Sequence, residues 1–305
     1  MDTISKAIEN ARVTLPTVEC RPYELMKNHT SFRIGGPVRV MFIPRTATEI
    51  MELCRLLHGF DIRPLITGNG TNMLVDDSGL LEIIVIKMTE IDSVKQTGDT
   101  EITAGAGISL SRLAVFACNC GLSGLECAHG IPGSLGGAVK MNAGAYGWET
   151  KDVVHSTSAF GYDGIYTVAD GEHAFAYRCS RFSNISDIIL SSTVRLKKAD
   201  RTDIGTKMEE LRARRFESQP LEMPSAGSTF KRPKSGYAAE LIEQAGLKGF
   251  SIGGAQVSMK HSGFITSSGG ATFSDVMGVI EHVKAAVLKQ FGVELELEIK
   301  IISSQ

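Results

Sequence analysis

The sequence predicts an α+β protein of two domains. Three observations carry this. The 305 residues exceed the usual size of one compact core. Short β-rich runs alternate with glycine clusters and a few helices over the first two thirds of the chain. Composition then shifts near 197–203, where a charged segment leads into a basic, helical run reaching Arg215. The expected division is therefore 1–200 and 201–305.

In the first part, 38–43, 81–86, 101–104 and 188–196 read as strands because apolar and β-branched residues fill runs of strand length. Two helices interrupt them. The segment 47–58 places Ile50, Leu53, Cys54 and Leu57 on one stripe, and 110–120 starts after a Ser109 cap and stops at Gly121. In the second part come a loop at 224–233, a short helix at 238–245 and a long helix at 274–290 stopped by Gly292. Residues 293–301 alternate apolar and charged, which predicts a closing strand that packs back toward the first domain.

Composition excludes several function classes. With 43% hydrophobic and 22% charged residues and a formal net charge of -2, the chain offers no bulk attraction for nucleic acid or an anionic membrane. The first residues lack a basic start followed by an apolar run, and no stretch approaches the ~20 apolar residues that span a bilayer, so a cytoplasmic protein is expected. Six cysteines at 20, 54, 118, 120, 127 and 179 contain no Cys-x-x-Cys pair. They read as reduced thiols, with no metal site.

The glycines are more informative. Thr67-Gly68-Asn69-Gly70-Thr71-Asn72 follows the apolar Leu65-Ile66 and precedes Met73-Leu74-Val75. It suits either a pyrophosphate cradle of backbone N–H groups or a hairpin turn. Met73 stands where a dinucleotide fingerprint needs its third glycine, and no Gly-Lys-Ser/Thr follows for a P-loop. The second cluster, 121–147, holds eight of the chain's 32 glycines. So many glycines cost backbone entropy on ordering, which lining a long, flat ligand explains better than ordinary turns. Two such loops on strands of a different type from the nucleotide fingerprints suggest an extended dinucleotide such as FAD.

Here the chain resembles the UDP-N-acetylenolpyruvoylglucosamine reductase family. The resemblance lies in Ser31-Phe32-Arg33-Ile34-Gly35-Gly36-Pro37, the Gly68 to Asn72 loop, Gly130-Ile131-Pro132-Gly133-Ser134-Leu135-Gly136-Gly137-Ala138 and Asn142-Ala143-Gly144-Ala145-Tyr146-Gly147, in that order and spacing. It implies an FAD-binding lobe of the vanillyl-alcohol-oxidase type, made of two α+β subdomains, followed by a smaller α+β substrate-binding domain. It further implies FAD as cofactor and NADPH as cosubstrate. The cofactor residues it implies are Gly68, Asn69, Gly70, Thr71, Asn72, Gly105, Ile131, Pro132, Gly133, Ser134, Gly136, Gly137, Asn142, Gly144 and Ala145. Single loops of this kind also fit an FAD-linked oxidase of the same fold group, and a nucleotide-binding module without chemistry would need only the glycines.

Three further segments separate these readings. Tyr177-Arg178-Cys179-Ser180-Arg181-Phe182, Ala226-Gly227-Ser228-Thr229-Phe230-Lys231-Arg232-Pro233 and Leu295-Glu296-Leu297-Glu298 match family motifs that carry an Arg, a Ser and a Glu. The resemblance implies Arg178, Ser228 and Glu298 as catalytic, with Glu296 two residues away as the competing carboxylate. It also implies Tyr146, Lys231 and Arg232 as contacts of a nucleotide-sugar substrate, with Arg214 and Arg215 either assisting or forming a solvated basic face. The chain departs from many relatives at Ser218, where they carry Lys, and at Thr71, where Ser is more usual. The short spacing from Arg178 to Ser228 implies the subclass without an extra substrate-covering loop. The sequence sets no oligomeric state, and a monomer is compatible with it.

Overall fold

The computed structural model describes residues 2–234 and 236–303. These residues form two compact units, and the division does not follow a single cut near 200. The first unit holds 1–22, 40–69 and 83–214, and the second holds 23–39, 70–82 and 215–305.

The first unit is built on two larger sheets, of four and five strands. In one, the strand Glu19–Pro22 runs antiparallel to the chain through Val40 to Ile43, while Leu65–Thr67 lies parallel to residues 85–87. Helices α1 (Thr3–Thr14) and α2 (Ala47–Gly59) bury Ala7, Ala11, Ile50, Leu53 and Leu57 against Val40, Phe42, Ile84 and Ile86. The expected stripe on α2 is thus the buried one, and a reciprocal capping box between Thr46 and Glu49 starts the helix.

The other sheet is antiparallel throughout, in the order Gly164–Val168, Val154–Gly161, Ile188–Arg195, Glu101–Gly105, Val94–Gln96. Helices α3 (Leu110–Asn119) and α4 (Leu135–Met141) share its core through Leu113, Ala117, Leu135 and Val139. Ser109 caps α3 as expected, its Oγ accepting the Arg112 amide at 3.2 Å. Helix α5 (Arg201–Ser218) adds Ile204 and Met208 to this core. That packing is why the first unit continues to Arg214 instead of ending where the charge pattern changes.

In the second unit an antiparallel sheet runs in the order Ser225–Ser228, Phe264–Ser267, Ala255–Val257, Ser251–Ile252. Helices α6 (Ala238–Gln244) and α7 (Phe273–Phe291) cover it. Val276, Val279, Ile280, Val283 and Val287 recur at helical spacing on α7 and are all fully buried. Gly292, at φ +68°, ends α7 in the left-handed cap expected of it.

The closing strand is shorter than the alternation predicts. Only Lys300–Ile302 forms a ladder, parallel to Met73–Val75, and Leu297 makes one isolated bridge to Phe230. Leu295 and Ile299 are buried and Glu294 and Glu296 exposed, so the alternation records which side faces the core and not which backbone is paired. Met73–Val75 takes this partner while Leu65–Thr67 pairs with residues 85–87. The segment between them is therefore not a hairpin turn.

Candidate active site

In the first unit the glycine segments are packed against one another. A Cβ on Gly68 would lie 2.2 Å from Ser134 Oγ. Ser134 is buried and caps α4, and its neighbours are stitched to the 105–110 segment: the Leu135 amide donates to Ile108 O at 2.9 Å, Gly136 to Ala106 O at 2.8 Å, and Leu110 to Gly133 O at 3.1 Å. A Cβ on Gly136 would approach that of Ala106 to 2.9 Å, and one on Gly105 would reach the Ile91 carbonyl at 2.2 Å. Gly68, Gly105 and the loop holding Ile131, Pro132, Gly133, Ser134 and Gly136 are thereby drawn into one cradle.

Gly137 tests whether that cradle suits a ligand. It is exposed, sits in the first turn of α4 and has only Ser134 Oγ, at 3.5 Å, near a built Cβ. Glycine inside a helix costs about 0.5–1 kcal/mol relative to alanine, and among the described residues only Ser134 Oγ would come near a side chain here. An open face at the start of α4 fits a flat ligand lying against it.

The next expected motif forms a hairpin. Gly144–Ala145 pairs with Trp148–Glu149 across Tyr146 and Gly147, whose φ values of +56° and +82° match a primed two-residue turn. Asn142 stands behind it. This side chain is 0% exposed, donates to Glu149 Oε2 at 3.2 Å and Ala176 O at 3.0 Å, and accepts from the Lys151 amide at 3.0 Å. Both its donors serve the protein, so it acts as a strut joining the hairpin to the segment that carries Arg178. The Arg178 guanidinium reaches back to Gly144 O at 3.4 Å. Its charge adds to the Lys151 ion pair and the Asn142 bond that hold the Glu149 carboxyl below its ordinary range. The Arg214 guanidinium lies over the Tyr146 ring, 4.9 Å from its centroid, a cation–π arrangement. The first unit therefore brings Arg178, Tyr146 and Arg214 to the glycine-rich hairpin.

The second unit positions Ser228 and Glu298. The Ser225–Ser228 strand is bulged against Phe264–Ser267, with Gly227 at φ +78° in the irregular stretch; a bulge re-aims the following side chain. One residue on, Thr229 O accepts the Glu298 amide at 2.9 Å, and Lys231 donates to Glu296 O at 2.8 Å. Backbone pairing thus lays the Glu298 segment along the residues that come after Ser228.

The two carboxylates in that segment differ. Glu296 has a side chain 73% exposed and pairs with Lys231 Nζ at 3.0 Å, whereas Glu298 is half-buried. Asn72 donates to Glu298 O at 3.3 Å and its own carbonyl accepts the Lys300 amide at 3.0 Å, so Asn72 fixes this strand. Gly70 and Thr71 lie in the same unit. A Cβ on Gly70, at φ +62°, would sit 2.0 Å from the His29 carbonyl. Arg232 lies over the Tyr237 ring at 4.1 Å. Arg215 is 6% exposed, so it does not belong to a solvated basic face.

Sequence reading missed the buried partners of the Arg178 segment, His173 above all, because a lone histidine carries no pattern. All six cysteines are free thiols, and burial pushes the Cys54 thiol up to about 12, which leaves it inert near neutrality.

The glycine cradle fits an FAD-binding flavoprotein, and residues 38–169 match the model of an FAD binding domain. Residues 219–302 match that of the UDP-N-acetylenolpyruvoylglucosamine reductase C-terminal domain. The chain is 48% identical over 283 residues to the UDP-N-acetylenolpyruvoylglucosamine reductase of Caldanaerobacter subterraneus subsp. tengcongensis, covering 92% of this chain and 93% of that one. Against the Pediococcus pentosaceus enzyme of the same name it is 44% identical over 291 residues, covering 95% and 96%. The crystal structure of the Thermus caldophilus reductase superposes with a TM-score of 0.79 at 32% identity, over 93% of this chain and 98% of that one. The chain belongs to the UDP-N-acetylenolpyruvoylglucosamine reductase family.

Proposed function

We propose that this protein reduces UDP-N-acetylglucosamine enolpyruvate to UDP-N-acetylmuramate with NADPH, in peptidoglycan precursor synthesis, and that Arg178, Ser228 and Glu298 carry the reaction on the substrate. The glycine-rich segments around Gly68 and Ser134 would hold FAD. When bound, FAD would supply two-electron hydride chemistry between NADPH and the terminal carbon of the enolpyruvyl ether.

The protein's own residues manage the resulting charge. It develops on the carbon bearing the ether oxygen and spreads into the neighbouring carboxylate. The fork of Arg178 binds and neutralises that carboxylate. Glu298, protonated, donates a hydrogen bond to the same developing enolate. Ser228 then gives its proton to the carbon. A hydroxyl is a weak acid in water, so close placement against a strongly basic carbanion is what makes the transfer work; such positioned acids contribute about 10²–10⁴-fold.

Lys231 and Arg232, beside Ser228 in sequence, take the nucleotide-sugar's diphosphate, and Tyr146 is a further substrate contact. Among the described residues no helix is long and apolar enough to cross a membrane. The proposed substrate is a small nucleotide-sugar, and the proposed place of action is the cytoplasm. The observation that carries the reading is the backbone bond from Glu298 to Thr229, which ties the acid strand to the Ser228 loop. The test follows flavin absorbance without oxygen. NADPH bleaches it and UDP-N-acetylglucosamine enolpyruvate restores it; bleaching without restoration rejects the substrate.

A further inference from the structure

The segment that carries Arg178 hangs on a buried histidine that takes no part in the chemistry above. His173 is 1% exposed, and Thr157 and Ser192 beside it are 0% and 1% exposed. His173 Nε2 lies 2.9 Å from Thr157 Oγ1, which lies 2.9 Å from Ser192 Oγ across two paired strands. The histidine also bonds the Ala169 backbone. A neutral imidazole has one donor and one acceptor. With the ring N–H given to the Ala169 carbonyl, Nε2 accepts the Thr157 hydroxyl, and the Ser192 hydroxyl donates to Thr157 Oγ1. The ring and Thr157 are then satisfied in a buried place where a missing hydrogen bond is costly.

His173 also gathers both ends of the segment. Its carbonyl accepts the Arg181 amide at 2.8 Å, its ring stacks on Phe175 at 4.9 Å, and the buried Phe182 meets it edge-on at 6.5 Å. Between these anchors Ala176 and Cys179 exchange two backbone bonds, 2.9 and 3.1 Å long. Ala174 and Arg178 are held at φ +48° and +53°, a conformation non-glycine residues keep only where the surroundings over-determine it.

We propose that His173 is a positioning residue for Arg178: the buried chain Ser192, Thr157, His173 sets, from the sheet, where the Arg178 guanidinium stands. This rests on the reading of Arg178 as the group that holds the substrate carboxylate. A histidine that merely filled the core would lower stability when replaced without favouring one half-reaction over the other.

The test uses the FAD-loaded protein in anaerobic stopped flow, measuring flavin reduction by NADPH and flavin reoxidation by UDP-N-acetylglucosamine enolpyruvate separately. His173→Phe keeps the ring stack and removes the bond to Thr157. It is expected to slow reoxidation at sub-saturating substrate by about 10- to 100-fold, the size of effect a small misplacement of a binding group produces. Reduction by NADPH stays within about twofold, and His173→Gln, which returns a polar atom near Nε2, recovers most of the loss. In an Arg178→Ala background His173→Phe adds nothing further, because coupled residues fail additivity.

Equal slowing of both half-reactions, or full additivity with Arg178→Ala, overturns the inference. If Arg178→Ala alone leaves reoxidation unchanged, the role given to Arg178 fails instead. Thr157→Val removes the same bond from the other side and is read by the same criteria should His173→Phe not fold.

Discussion

Replacing Gly68 by alanine tests whether the glycine cradle is built as described. Gly68 does not sit in the left-handed region, so alanine is compatible with its backbone and the effect comes from contact alone. The new Cβ would lie 2.2 Å from Ser134 Oγ and 3.1 Å from Ser134 Cβ. The hydroxyl must rotate away and abandon its cap on the Gly137 amide at 3.4 Å. Losing an N-cap costs about 0.5–2 kcal/mol. Because this helix start is where FAD is expected to lie, loss of about 1–2 kcal/mol corresponds to roughly a 5- to 30-fold weaker FAD affinity. Flavin fluorescence titration of the apoprotein measures it. The second variant, Gly68→Ala with Ser134→Gly, removes the obstructing side chain and keeps an acceptable cap residue, which costs only a few tenths of a kcal/mol, so affinity should return to within about threefold of the original. Unchanged affinity in Gly68→Ala, or no recovery in the double variant, would refute this packing of the cradle.

Three further outcomes are expected. Gly70→Ala should lower the unfolding midpoint more than Gly68→Ala does, because its Cβ meets the His29 carbonyl at 2.0 Å and backbone cannot rotate aside as a hydroxyl can; thermal melts with FAD absent compare the two directly. Glu298→Gln should slow flavin reoxidation by the enolpyruvyl substrate while Glu296→Gln, which only removes the exposed pair with Lys231, stays within about twofold; the reverse order would exchange their roles. Stability should decline as pH falls below about 6.5. Burial holds His173 and His261 below their ordinary value, so the unfolded chain takes up protons first and the stabilisation, complete above that pH, is lost on acidification. Melting temperature against pH reads the decline, and His173→Gln should shrink it.

Much of the fold was legible because its signals are local. Glycine clusters mark close approach, Ser109 and Gly292 mark helix ends, and the α7 stripe of Val276, Val279, Ile280, Val283 and Val287 repeats at helical spacing. The domain division was not legible, since the segments 23–39 and 70–82 acquire their membership from remote partners. Ser31 Oγ donates to Ser225 O at 2.6 Å and Asn72 to Glu298 O at 3.3 Å, contacts separated by about two hundred residues that no local pattern announces. The closing strand shows the same limit, for alternation reports burial and is silent on pairing. His173 is the clearest omission. Its burial depends on Thr157 and Ser192 meeting on neighbouring strands, a register that the sequence does not display.

The central claim is that Ser228 protonates the substrate, and Ser228→Ala in anaerobic stopped flow tests it most directly. NADPH is expected still to bleach the flavin at close to the original rate, while recovery of absorbance on adding UDP-N-acetylglucosamine enolpyruvate slows by about 10²–10⁴-fold, the contribution of a positioned acid. Equal loss of both half-reactions, or recovery at the original rate, would contradict it.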